Sequence, residues 1–239
     1  MIDFADKNDI NALSSLWQSI FLEDKEVTKY FFENIFSNAV TPVIRINGEI
    51  VSSLFLLDCK IGDYSGKYVY CAMTAYADRG KGYMKKLLDF SYGWCNENVF
   101  DFLTLVPAEK SLSEYYTKCG FSPFGVRRTY TVNGERPKSK EKLKIQNELT
   151  FWKSICNYWE SSCIHYGGKR ADYGLVFKDE NIIIRNAKGS FSEIPEEYKM
   201  NGTVIQGDIT FGNEESPAMI KTENSTIKNM CCYVGITLE

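Results

Sequence analysis

Ala75-Tyr76-Ala77-Asp78-Arg79-Gly80-Lys81-Gly82-Tyr83-Met84-Lys85-Lys86-Leu87-Leu88 decides how the rest of the chain is read. Upstream of it, Tyr68-Val69-Tyr70-Cys71-Ala72-Met73-Thr74 is aromatic and apolar enough for a buried strand. Downstream, Met84, Leu87, Leu88, Ser91 and Trp94 recur at helical spacing and set one face of a helix against a sheet. Between the two, Gly80 and Gly82 let the backbone approach a ligand closely, and the first amides of the helix have no intrahelical acceptor. Together with the helix dipole, Arg79, Lys81, Lys85 and Lys86 favour a diphosphate there. A tight strand-to-helix turn also needs glycine with no ligand present, so the loop by itself leaves both readings open.

The segment from Thr74 to Leu88 resembles the acyl-CoA loop of the GNAT N-acetyltransferase superfamily, whose pattern is Arg or Gln, two residues, Gly, one residue, then Gly or Ala. Arg79, Gly80, Lys81, Gly82, Tyr83 and Met84 fill those places in order, and Thr74 ends the preceding strand. Met84 departs from the small residue of the pattern, so it either displaces the pyrophosphate slightly or points its flexible side chain away. The resemblance implies acetyl-CoA as co-substrate, no metal, and a binding set of Met73, Thr74, Ala75, Arg79, Gly80, Lys81, Gly82, Tyr83 and Met84.

A second landmark follows. Phe102 to Val106 reads as another buried strand, then Pro107-Ala108-Glu109, then a helix ending at Tyr116-Thr117-Lys118-Cys119-Gly120-Phe121, with Gly120 as a left-handed stop. A Tyr four residues before Gly-Phe resembles the second signature of the family, in which the hydroxyl protonates the departing CoA thiolate. The resemblance gives that role to Tyr116; the alternative is that Tyr116 packs its helix against the sheet. It also implies an oxyanion contact from a backbone amide near Thr74 or Ala75. Glu109 is either the base that accepts the amine proton or a residue favouring the dipole of the next helix. Asp58 is a weaker base candidate, and His165 lies outside this part of the chain.

Composition sets the frame. The 239 residues are 44% hydrophobic and 25% charged, enough for one large domain or a domain with a smaller companion. With 28 Lys and Arg against 31 Asp and Glu, the net charge of −3 gives no global basic field for nucleic acid or an anionic membrane. No apolar stretch reaches the length of a membrane span and Met1-Ile2-Asp3-Phe4 carries no leader pattern, so the expected setting is cytoplasmic. The eight cysteines contain no CxxC pair, and a single histidine offers no zinc ligand set; reduced, mostly buried thiols are expected.

In chain order, Asp6 to Ile20 and Glu26 to Phe36 carry apolar residues at helical spacing, with Asp9 as a cap for the first. Pro42 to Ile46 and Ile50 to Leu57 flank Asn47-Gly48, a two-residue hairpin turn, and a strand over Lys67 to Ala75 follows. A last strand falls near Phe124 to Val132. This order matches the mixed-sheet α+β fold of GNAT proteins over residues 1–132. A charged, proline-marked linker spans 133–147, and 148–239 reads as a smaller C-terminal α+β domain. In that domain a helix begins near Glu148, a hairpin joins Gly174–Phe177 to Ile182–Arg185, and strands lie at Thr203–Ile205, Ala218–Lys221 and Cys232–Leu238. The two-part layout is similar to the Eis-type branch of the family, in which a terminal carboxylate can act as base; here that is Glu239.

Two functions follow from the resemblance. One is an N-acetyltransferase acting on a primary amine of a small molecule or peptide, with no nucleic-acid or membrane partner and with homo-oligomerisation left open. The other is a non-catalytic acyl-CoA-binding module whose second domain recognises a partner.

Overall fold

The structure, a computed structural model, describes residues 2–21, 25–61, 64–125, 127–133, 144–145, 174–176, 182–185, 191–194, 200–201, 208–215 and 218–229. Its elements run β1 (Ile2–Phe4), α1 (Ile10–Phe21), α2 (Lys25–Asn34), β2 (Pro42–Ile46), β3 (Glu49–Ile61), β4 (Tyr64–Thr74), α3 (Tyr83–Glu97), β5 (Phe102–Leu105), α4 (Leu112–Lys118) and β6 (Ser122–Phe124). Then come β7 (Arg127–Asn133), β8 (Lys144–Ile145), β9 (Gly174–Val176), β10 (Ile182–Arg185), β11 (Phe191–Ile194), β12 (Met200–Asn201) and β13 (Asp208–Glu215). The described chain closes with β14 (Ala218–Lys221) and α5 (Ser225–Lys228).

Local chemistry explains the punctuation. Asn47 and Gly48 both adopt positive φ, 50° and 87°, and Ile46 pairs with Glu49 across them, as a two-residue hairpin turn requires. The start of α1 differs from the sequence reading. Asp6 caps a 3-10 turn, Lys7–Asp9, that runs straight into α1: its side chain accepts from the Asn8 amide, while Asp9 reciprocates by accepting from the Asp6 amide. Both belong to a capping box, so two acidic residues satisfy amides that Asp9 alone would leave open.

A mixed sheet of seven strands, ordered β1-β2-β3-β4-β5-β14-β6, carries the first unit. β3 and β4 form a long antiparallel ladder, and β4 and β5 are parallel from Gly66↔Phe102 to Tyr68↔Thr104. At Gly66 a Cβ would sit 2.4 Å from the Phe102 ring, so the absence of a side chain is what lets these two strands meet. On one face, Trp17, Phe31, Phe32 and Phe36 pack against Phe55 and Tyr70. On the other, Leu54, Leu56, Val69, Leu103 and Met219 meet Leu87 and Leu88 of α3 and Tyr116 of α4.

The chain divides into two units: 1–123 with 218–230, and 124–217 with 231–239. This is not the linear split at residues 132 and 148. Ala218–Lys221, expected in a C-terminal appendix, lies in the first sheet beside β5, with Met219↔Leu105 and Lys221↔Leu103. Ala218, Met219 and Ile220 are all buried, the mark of a strand enclosed on both faces. Conversely, the strand expected near Phe124 to Val132 splits. β6 stays in the sheet, whereas β7 pairs with β13 of the second unit, from Arg127↔Glu215 to Asn133↔Asp208. Within that unit the expected hairpin is present, with Val176↔Ile182 and Gly174↔Ile184. The 134–143 part of the linker, the helix from Glu148, and the strands at 203–205 and 232–238 lie outside the described residues.

Candidate functional site

The site grows out of the C-terminal half of β4. Its ladder with β5 ends at Tyr68↔Thr104, while pairing with β3 continues to Ser52↔Thr74. A bulge interrupts the β3 side: between Ser53↔Met73 and Phe55↔Tyr70, Leu54 alone stands opposite Cys71 and Ala72. Cys71 takes φ +46°, a left-handed value for a non-glycine residue, and the bulge re-aims the residues that follow.

Beyond the bulge the amides alternate between the strand's two edges. The Ala75 amide donates to the Val51 carbonyl at 2.9 Å, which commits it to β3. Alternation in an antiparallel ladder then directs the Thr74 amide to the opposite edge, where β5 no longer pairs. Of the two amides marked in the sequence, only that of Thr74 faces the opening. The Thr74 hydroxyl is fixed from the β3 side by Ser52 Oγ at 2.8 Å, and Ser52 Oγ also donates to the Met73 carbonyl. Met73 is fully buried beneath them.

A 3-10 turn over Tyr76–Asp78 leads to Gly80 and Gly82, at φ +77° and +76°. Gly82 is the N-cap of α3 and makes no side-chain capping bond, so the first amides of a 15-residue helix open onto the loop. A Cβ built on Gly80 or Gly82 would meet nothing within 4 Å. The loop is therefore roomy where a side chain would intrude, which fits a bulky anion on the helix terminus.

The four loop cations are not equivalent. Lys81 binds Asp78 and Lys85 binds Asp89. Arg79 lies over the Tyr76 ring, 4.1 Å from its centroid, and reaches the Thr74 carbonyl with Nε at 3.4 Å. Lys86 lies 5.9 Å from the Tyr83 centroid. Neither Arg79 nor Lys86 has a carboxylate partner among the described residues, so these two carry the uncompensated charge. Met84 is half-buried and packs against the core of the α3 face, so its side chain is drawn toward the sheet.

Tyr116 lies on α4, 9% exposed, among Tyr115, Phe121 and the aliphatic core. Burial pushes its phenol up to about 12, with Cys119 adding a smaller upward push. It therefore stays protonated throughout the neutral range. The ring packs α4 against the core, as one of the two sequence readings has it.

Glu109 is exposed in the turn before α4, and its carboxylate accepts from the Ser111 hydroxyl at 3.1 Å. Asp58 pairs with the buried Lys67. That pairing is in the half of β4 remote from Thr74, which removes Asp58 from the candidates for a base. Glu239 and His165 lie outside the described residues. Among the described residues no group of three or more His, Cys, Asp or Glu could hold a metal ion, and no helix is long and apolar enough to cross a membrane. Sequence reading passed over Ser52, although two adjacent serines in the apolar run Ile50 to Leu57 were a visible signal.

No curated protein matches the chain. Among solved structures, a probable N-acyltransferase from Enterococcus faecalis V583 aligns over 93% of this chain and 72% of its own, with a TM-score of 0.62 at 10% identity, a likeness of fold. A GNAT-family acetyltransferase from Staphylococcus aureus Mu50 aligns over 52% of this chain and 85% of its own at 19% identity, TM-score 0.45. Glucosamine-6-phosphate N-acetyltransferase from Arabidopsis thaliana aligns over 58% and 98%, at 18% identity and a TM-score of 0.44. The family model described as an acetyltransferase (GNAT) domain matches residues 1–124, ending where the chain leaves the seven-stranded sheet. On that match, which spans more than half of its residues, the chain belongs to the GNAT acetyltransferase family.

Proposed function

We propose that the protein is an N-acetyltransferase that moves an acetyl group from acetyl-CoA to a primary amine of a small molecule or peptide. The observation that carries this reading is the uncapped N-terminus of α3, reached through two left-handed glycines directly beside the unpaired end of β4. Acetyl-CoA supplies the activated acyl group. The amides of α3 and the charge of Arg79 and Lys86 bind its diphosphate, and the free edge of β4 orients the thioester. The Thr74 amide donates to the carbonyl oxygen as charge develops there, from a backbone position that needs no rearrangement. Tyr116 gives its proton to the departing sulfur as the new C–N bond replaces the C–S bond. Glu109 takes the amine proton, directly or through water. The proposed setting is the cytoplasm, with no nucleic-acid or membrane partner.

Thermal unfolding with acetyl-CoA tests the site, and a panel of spermidine, a lysine-bearing peptide and an aminoglycoside tests the transfer. Binding at a hundredfold excess over Kd stabilises the protein by about 2.7 kcal/mol, less with CoA lacking its 3′-phosphate. Tyr116→Phe is expected to lower kcat roughly a hundredfold with the thermal shift intact. Binding without transfer to any amine, and no effect of Tyr116→Phe, would return the non-catalytic module; no shift with any acyl-CoA withdraws the reading altogether.

A further inference from the structure

Lys221 comes to the first unit from the far side of the excursion through residues 124–217, and it is held by two helices at once. As the last residue of β14 it pairs with Leu103. Its Nζ donates to Asp89 Oδ1 on α3 at 3.0 Å and to the Cys119 carbonyl, at the C-terminal end of α4, at 2.9 Å. The same ammonium lies 5.0 Å from the Tyr92 centroid and 5.9 Å from that of Phe121, and only 17% of the side chain is exposed. Its stem fills the space over Gly120, where a Cβ would come within 3.3 Å of Lys221 Cε.

This matters because α4 is short. Seven residues cannot hold a helix by themselves in water, so its position is set by what grips its ends. The C-terminal end is closed by Phe121 donating its amide to the Tyr116 carbonyl and Gly120 donating to that of Thr117. Lys221 donates to the carbonyl of Cys119, the C-cap residue, where a cation also complements the helix dipole. From there it ties the Tyr116 helix to α3, the helix whose N-terminus forms the glycine loop.

We propose that Lys221 is a positioning residue: it sets the distance between Tyr116 and the α3 loop, so that β14, returning from the second unit, completes the alignment for proton delivery. The inference rests on the role proposed for Tyr116. A displacement of about 1 Å in such a group is enough to cost up to a hundredfold in rate with little change in binding.

The test follows thiol release from acetyl-CoA in the full chain, with saturating spermidine, or to water if no amine accelerates it. Lys221→Met keeps the stem and removes the bonds. It is expected to lower kcat at least tenfold while KM for acetyl-CoA stays within about twofold and the acetyl-CoA thermal shift persists. Lys221→Arg restores part of the rate. In a Tyr116→Phe background, Lys221→Met has no further effect, because its contribution runs through that hydroxyl. Equal losses in both backgrounds, or an unchanged kcat in Lys221→Met, overturn the proposal. If Lys221→Met does not fold, Asp89→Asn, which releases Lys221 from α3 and also frees Lys85, carries the test by the same pattern when read against Lys85→Met, which removes the Lys85 pair alone. An inert Tyr116→Phe defeats the role of Tyr116 and this inference together, while the acetyl-CoA shift separately reports on the binding site.

Discussion

The two halves of β4 are one strand put to opposite uses. From Gly66 to Tyr68 it is paired on both edges, and the surroundings are closed: Phe102 fills the space over Gly66, and Lys67, only 4% exposed, lies 4.5 Å from the Phe100 centroid with Asp58 as its partner. From Val69 to Thr74 it is paired with β3 alone, carries a bulge at Cys71, and presents the Thr74 amide to an open edge. The first half holds the sheet together. The second half holds a place where a ligand's atoms can do what a strand's would. Backbone donors that a finished sheet consumes are available for chemistry only where pairing is left incomplete.

If that division is real, substitutions in the two halves separate stability from binding. Phe102→Ala empties the closed half and is expected to cost about 3–5 kcal/mol in chemical denaturation, while protein that remains folded still gains stability from acetyl-CoA. Loss of both together would break the comparison. Gly82→Glu is the complement. Its side chain enters open space, so the unliganded protein loses about 1–2 kcal/mol through the left-handed backbone, whereas the roughly 2.7 kcal/mol of acetyl-CoA stabilisation disappears. Ser52→Ala acts at the border. It strips the Met73 carbonyl and the Thr74 hydroxyl of a shared partner, and a loss of about 1–2 kcal/mol in denaturation should come with a lower kcat. The smallest effect belongs to a control outside both halves. The Arg45 hydrogen bond, opposed by burial, holds the Asp9 carboxyl below the ordinary carboxylate range. Its stabilisation is complete above a pH of about 4 and fades as pH falls through the lowered value. Asp9→Asn should therefore flatten the acid limb of a Tm-against-pH curve and leave the acetyl-CoA shift unchanged.

Much of the first unit was legible because its signals are local. Asn47-Gly48 specifies a hairpin through the φ values of two residues, and Arg79 to Met84 specify a loop through spacing alone. The local part of the candidate site was legible to the same depth: Gly80 and Gly82 take the left-handed φ values that a tight turn into α3 requires. What sequence could not resolve was long-range. Ala218-Met219-Ile220 reads as a buried strand, yet nothing in three apolar residues says which sheet they enter. Ala75 was a candidate donor until the register gave its amide to Val51. Asp58 was a candidate base until Lys67, nine residues later, proved to be its partner. Lys221 carried no signal, since its partners lie 102 and 132 positions away.

The route of β14 also has a kinetic side. Because that strand sits between β5 and β6 and is separated from both by residues 125–217, the sheet cannot finish closing until the end of the excursion has left the ribosome. Until then β5 and β6 each face a gap with unsatisfied amides and carbonyls, the kind of edge that recruits foreign strands. Closing so long a loop spends conformational entropy before the contacts of β14 repay it. The nascent protein thus passes through an interval in which the glycine loop is already synthesised while the strand that completes its sheet is not, and a chaperone that shields a bare strand edge would act in that interval.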